Sequence, residues 1–314
     1  MNRRQARLAA IACLALLWPL PHAQAEDLQQ HLRDQYQNKI FIFHAPNSGN
    51  SLHFDSAGKM LEGSAGEDWT TDSVVQVEEL KVSGQRLEIR ARRLHLAWVP
   101  GTGLGEVHDF DRNRKPDKDE KKNRSVRIVA ELKAGDVSSA AADAAFAQVF
   151  LTSRDNFADL VPDYWKPCIR AALGDDDANK YPGCRFSPTL LAVPGIALHP
   201  GEAANDQSDA ESGAPSEGRI WRVGKGVTPP GMAFTPEPEY SDPARVARVQ
   251  GSVTLDLIVN REGLPTKIRI MSPIGCGLDA KAVQAVENWK FKPAEKDGEP
   301  GAVEIAVEVE FHLY

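Results

Sequence analysis

The chain of 314 residues is poor in the motifs that mark catalysis. It has no HExxH, no GxSxG and no CxxC. His31, His44, His53, His95, His108, His199 and His312 are scattered, none at a spacing that would complete a zinc site. Gly101, Gly103 and Gly105 space as GxGxG and run into a charged loop, so the helix start that a phosphate cradle needs is missing. Carboxylates are plentiful, but none is singled out by an apolar setting that would tune its acidity. These absences leave no positive indication of an enzyme and imply no cofactor. Basic charge is also short: 37 Lys and Arg against 44 Asp and Glu give a net charge of −7, which argues against nucleic acid or anionic lipid as partners.

Long hydrophobic runs are rare too. The one long run, residues 8–20, falls short of the roughly 20 residues a spanning helix needs. Arg3, Arg4 and Arg7 precede it and the small-x-small triplet Ala23-Gln24-Ala25 follows, the layout of a secretory signal cut before Glu26. The expectation is a signal peptide at residues 1–25 and a periplasmic mature chain; membrane contact would follow only if that segment were retained as an anchor. Losing its three arginines would take the net charge of −7 to about −10. Export implies an oxidising compartment, where cysteines pair. Of the three beyond the signal, Cys168 and Cys184 flank a polar stretch, and a bridge between them would close a loop of about 15 residues contributing about 3 kcal/mol. Cys276 then fills a tight site between Gly275 and Gly277.

The length allows about two domains. Residues 26–36 read as a helix. Apolar or alternating runs at 40–43, 52–54, 74–82, 87–98 and 126–132, separated by short turns, predict an antiparallel meander. The composition turns to alanine at Ser138. Residues 140–150, 157–161 and 169–173 read as helices, with Tyr164 and Trp165 as glue between that layer and the sheet. Residues 195–235 are rich in Gly, Ser, Asp and Pro and predict a flexible linker. The predicted architecture is α+β: a signal at 1–25, an N-terminal antiparallel sheet followed by helices at 26–194, the linker at 195–235, and a small C-terminal ββαβ domain at 236–314. Within the N-terminal part, Asp109, Asp111, Asn113, Asp117 and Glu120 take positions 1, 3, 5, 9 and 12 of a calcium loop. Arg114 stands where glycine should make the sharp turn, and the surrounding lysines oppose a cation, so a solvated hairpin loop is the simpler reading and no metal site is assigned.

The last stretch is the most informative. Val253, Leu255, Leu257 and Val259 alternate with polar residues, and Gly263 suits the left-handed position of the turn that follows. Ile268 and Ile270 supply a second strand. Asp279 reads as a helix cap, and Trp289 and Phe291 as the largest core pieces. In the closing strand Val303, Ile305, Val307, Val309 and Phe311 face inward, while Glu304, Ala306, Glu308 and Glu310 take the alternate positions. A strand of this kind at a sheet edge leaves main-chain groups for an incoming extended peptide. A proline at Val307 is expected to abolish such pairing.

These residues carry a resemblance. Pro238-x-Tyr240 with Ala244-Arg245, Gly251-x-Val253, the Glu262-Gly263 turn, Gly277-Leu278-Asp279 with Ala282, Trp289-x-Phe291-x-Pro293-Ala294, Gly298 and the terminal strand together resemble the C-terminal domain of TonB-family energy transducers. The resemblance covers about a quarter of the chain. It implies a module that works across the periplasm and pairs its last strand with a short segment, the TonB box, of an outer-membrane TonB-dependent receptor or another envelope protein. Three departures stand out: Ser241 where proline is common, an apolar start that looks cleavable, and a folded domain in place of a Pro-Glu/Pro-Lys spacer. Two alternatives stay open: an anchor-less envelope scaffold without energy transduction, and a calcium-dependent N-terminal domain carrying a C-terminal docking module.

Overall fold

A computed structural model describes residues 22–99, 101–107, 124–152, 157–174, 179–194, 196, 220–224 and 226–313. Residues 1–21 of the expected signal, the loop holding Asp109, Asp111, Asn113, Asp117 and Glu120, and linker residues 197–219 lie outside the described residues.

The N-terminal part opens with α1 (His22–Tyr36). There follow β1 (Ile40–Ile42), β2 (Asn47–Phe54), β3 (Met60–Ala65), α2 (Trp69–Asp72), β4 (Val74–Ser83), β5 (Arg86–Arg93), β6 (Leu96–Val99), β7 (Gly103–Glu106), β8 (Ser125–Glu131) and α3 (Ser139–Val149). Six strands form one sheet in the order β1-β4-β5-β8-β2-β3. The expected antiparallel meander is corrected here: β2 runs parallel to β8, with Leu52 opposite Ile128, so the sheet is mixed. The cause is that β1 pairs with β4 rather than with β2, and the strongly alternating β8 takes a central place between β5 and β2. The long run at 87–98 is not one strand either. Arg93 ends it, its guanidinium buried and donating to the carbonyls of Asp72 and Gly49, and β6 leaves to form a separate hairpin with β7. Helices α1 and α3 cover one sheet face. Tyr36 stacks on Phe146 there, and His31 and Tyr36 both bind the Asp143 carboxylate.

A second group of helices, α4 (Phe157–Leu160), α5 (Lys166–Leu173) and α6 (Pro188–Leu191), comes next. Cys168 and Cys184 are joined by a disulfide, as expected. Trp165 is fully buried and meets Trp69 edge to face, and Tyr164 packs, partly buried, against the same cluster, which includes Ile42 and Val74 of the N-terminal sheet. The Tyr164 carbonyl accepts from Ile270 N in the C-terminal part, at 2.9 Å.

The C-terminal part contains β9 (Trp221–Arg222), β10 (Gly231–Phe234), α7 (Asp242–Ala247), β11 (Gly251–Val259), β12 (Pro265–Ser272), α8 (Leu278–Glu287), β13 (Lys290–Lys292), β14 (Ala294–Lys296), β15 (Glu299–Gly301) and β16 (Val303–Phe311). Its main sheet has the order β12-β11-β16-β9, and α8 packs on one face. The whole is α+β, as expected. One buried cluster runs without a break from Trp69, Leu96 and Leu104 through Trp165 and Ile169 to Leu255, Ile270, Val286 and Phe311. The helices after α3 therefore share their core with the C-terminal sheet, where each fully buried aliphatic side chain contributes about 1.5–3 kcal/mol. Among the described residues no helix is long and apolar enough to cross a membrane.

Candidate functional site

Strand β16 is paired along its whole length with β11, from Val303 opposite Val259 to Phe311 opposite Gly251, with no register shift. Its side chains alternate as the sequence predicts. Val303, Val307, Val309 and Phe311 are buried; Ala306, Glu308 and Glu310 are exposed; Glu304 and Ile305 lie between.

Among the described residues, strand pairing on the other side of β16 is confined to its start. β9 lies parallel to it, with Trp221 opposite Val303 and Arg222 opposite Glu304. Trp221 N donates to the carbonyl of Ala302 at 2.8 Å. The Trp221 ring fills the space where a side chain on residue 301 would stand: a Cβ there would meet the ring at 2.1 Å, so Gly301 is required. Linker residues 220–235 are thus partly structured, as β9 and as β10 paired with β13.

The bond to Ala302 also fixes which main-chain groups face outward. Successive residues of a strand direct their N–H and C=O to opposite sides. Since Ala302 points away from β11, so do Glu304, Ala306, Glu308 and Glu310, while Ile305, Val307, Val309 and Phe311 point toward it. Glu304 is covered by β9. Among the described residues, no strand pairs with the outward groups of Ala306, Glu308 and Glu310. The same parity bears on how a proline at Val307 would act. That amide points to Leu255, so proline there would attack the sheet itself and not the open side.

Charge on this edge is acidic. Glu304 has Arg222 at 3.8 Å and Lys180 at 3.9 Å. Behind it lies Asp256, whose carboxyl is pushed up by burial and by Glu304, and held down by Lys180 and Arg269. Glu310 has His312 at 3.1 Å. Glu308 has no cationic partner within ion-pair distance among the described residues.

The N-terminal half grips the opposite end of this sheet. Besides the Tyr164–Ile270 bond, Gly183 packs so closely on Ser272 that a Cβ would stand 2.4 Å from its hydroxyl. The loop before α8 is held as well. Trp98 N donates to Ile274 O at 2.9 Å, Cys276 N to Leu96 O at 2.6 Å and Gly277 N to the Thr70 hydroxyl at 2.9 Å. Asp279 is not the cap of α8; Gly277 holds that position. Instead the Asp279 carboxylate reaches back to accept from Ile274 N and Gly275 N, both at 2.8 Å. Asp68, the cap of α2, lies in the same buried region. Burial, reinforced by Asp68, raises the Asp279 carboxyl to about 7; burial raises Asp68 to about 6 against the lowering bonds from Thr70. The Cys276 thiol is buried and pushed well up by burial.

Sequence reasoning missed β9, α7 and the role of Thr70. A lone Trp221 in a polar tract was a usable signal for the first. Ser241-Asp242-Pro243 was a usable signal for the second, because Ser241 Oγ caps it by accepting from Ala244 N. Nothing local to Thr70 points to a loop two hundred residues away.

Structurally, the C-terminal part is a small α+β domain in which the described strands pair with one side of β16 throughout and with the other side only at Val303 and Glu304. Residues 236–313 match the family model for the Gram-negative bacterial TonB protein C-terminal, so this stretch is a TonB C-terminal domain. Protein TonB of Vibrio cholerae serotype O1 (strain ATCC 39315 / El Tor Inaba N16961) is 32% identical over 78 residues, covering 24% of this chain and 32% of the relative. The chain thus spans about a third of the length of that curated relative. A solution NMR structure of the Pseudomonas aeruginosa TonB CTD is similar over 30% of this chain and 97% of its own, at 15% identity and a TM-score of 0.24.

Proposed function

We propose that this protein binds an extended segment of an outer-membrane TonB-dependent receptor, or of another envelope protein, by strand addition to β16, and so serves TonB-linked transport across the cell envelope. The observation that carries the reading is the open side of β16 at residues 305–311, in a stretch that matches the TonB C-terminal family. Of the nine residues from Val303 to Phe311, the reading assigns pairing to Ala306, Glu308 and Glu310 through their main chain. It assigns the neighbouring side chains to alignment. Val303 and Glu304 are already paired by β9. The chain acts here as a binding module and not as a catalyst.

The domain scheme supports the same reading. A signal at residues 1–25 would deliver the chain to the periplasm, residues 26–194 would hold the C-terminal domain from behind, and residues 197–219 would connect the two. The main-chain grip falls on β12 and on the loop before α8, and Lys180 reaches only Glu304 at the start of β16, so the N-terminal half would stabilise the domain while leaving residues 306–311 for a partner.

A photo-crosslinker in place of Glu308, activated in cells, tests the proposal. The expected product links residue 308 to an extended segment of an envelope protein, mapped by peptide sequencing. Crosslinks confined to this chain's own residues, or equal yields from the same probe at Leu61 on the far sheet, would overturn it.

A further inference from the structure

Strand β9 shows what a strand on this edge looks like. It places an aromatic side chain on the inner side, seated over Gly301, and a guanidinium on the outer side beside Glu304. The positions that follow on β16 repeat the same pattern. Ile305, Val307, Val309 and Phe311 turn inward, while Ala306, Glu308 and Glu310 turn outward. Their neighbours on the other side, Asp256, Thr254 and Ser252 of β11, supply no positive charge. Glu304 has the two cations its position calls for, whereas Glu308 has none among the described residues. Opposite charges directly across a strand pair attract and like charges repel.

We infer that the segment received by β16 alternates apolar with basic residues, its Lys or Arg side chains standing beside Glu308 and Glu310. The seat begins after Glu304, because Trp221 and Arg222 already fill the first two positions and block any longer overlap. An alternating pattern reads the same in both directions, so the inference holds for parallel and antiparallel entry. It rests on the strand-addition reading above and adds the chemistry of the partner: an extended, apolar-basic peptide, not an acidic one.

Three fluorescein-labelled peptides test this on the full chain: Val-Lys-Val-Lys-Val-Lys-Val, the same with Thr for Lys, and the same with Glu for Lys. Binding is read by anisotropy. The Lys peptide is expected to bind about 2- to 30-fold tighter than the Thr peptide, from two cross-strand ion pairs, and the Glu peptide more weakly than either. The preference should vanish in the double variant Glu308→Gln, Glu310→Gln, and shrink with added salt as screening demands. Lys and Thr peptides of equal affinity, both lost in Glu308→Pro, would leave strand addition standing and overturn the basic-partner inference. A Lys preference that survives the double Gln variant also overturns it. If no peptide binds, or if Glu308→Pro weakens none of them, strand addition fails and the inference falls with it.

Discussion

The hydroxyl of Thr70 accepts the amide hydrogen of Gly277 at 2.9 Å, although the two residues lie 207 positions apart. The same hydroxyl donates to the Asp68 carboxylate. One side chain thus fastens the cap of α2 to the start of α8. Thr70→Val keeps the shape and removes both bonds, leaving a buried N–H and a buried carboxylate oxygen without that partner. Each such group costs about 1–3 kcal/mol, so a loss of about 2–6 kcal/mol is expected in urea unfolding. Thr70→Ser keeps the hydroxyl and should lose less than about 1 kcal/mol.

Asp68 and Asp279 give the junction a pH dependence. Their carboxyls sit near 6 and 7 in the folded protein, raised chiefly by burial. The unfolded chain has lost those protons above about pH 4. The folded state therefore binds more protons between about pH 4 and pH 7. The stabilisation is fully present below that window and is lost as pH rises through it. Asp68→Asn keeps an oxygen able to cap α2, discards the charge and relieves Asp279. It should match the parent at pH 4.5 and exceed it by about 1–3 kcal/mol at pH 8, measured by urea unfolding at the two pH values. Equal stabilities at pH 8 would refute the assignment.

Much of the C-terminal fold is legible in the sequence because its determinants are local. The alternation of 253–259 and 303–311, the Gly263 turn and the large pair Trp289 and Phe291 each report on a face or a turn without help from elsewhere. Strand order is different. Whether Leu52 meets Ile128 or a nearer strand depends on competition among strands of similar alternation, which no single run encodes. The same holds for the site. The alternating face of β16 is visible in the residues, but which of its main-chain groups the described strands leave unpaired is not, because that depends on β9 ending at Arg222. Asp279 shows the limit most clearly: an acid near a helix start reads as a cap, and only the fold reveals that it serves the amides before it.

The disulfide should matter most to β12. Cys168 and Cys184 close a segment whose Gly183 packs on Ser272 and whose Tyr164, just upstream, holds Ile270. Replacing both cysteines with alanine is expected to cost about 3 kcal/mol. Hydrogen exchange would localise the effect. The Ile270 amide should lose protection in the variant, while the β16 amides directed at β11 keep theirs. Uniform loss across the sheet would mean that the bridge stabilises the whole fold and not this edge.

Two neighbouring prolines separate the faces of β16. Val307 directs its amide to Leu255, inside the ladder, so Val307→Pro removes a sheet hydrogen bond and should cost at least about 1–3 kcal/mol for the buried acceptor left unpaired. Glu308 directs its amide away from β11, where proline is tolerated on an edge strand. Glu308→Pro should therefore change stability by less than about 1 kcal/mol while destroying partner pairing. Thermal unfolding and crosslinking yield from a probe at Glu310, measured on both variants, check the pair. If Glu308→Pro unfolds the protein as readily as Val307→Pro does, the outward direction of that amide is wrong and residues 305–311 do not offer an open edge.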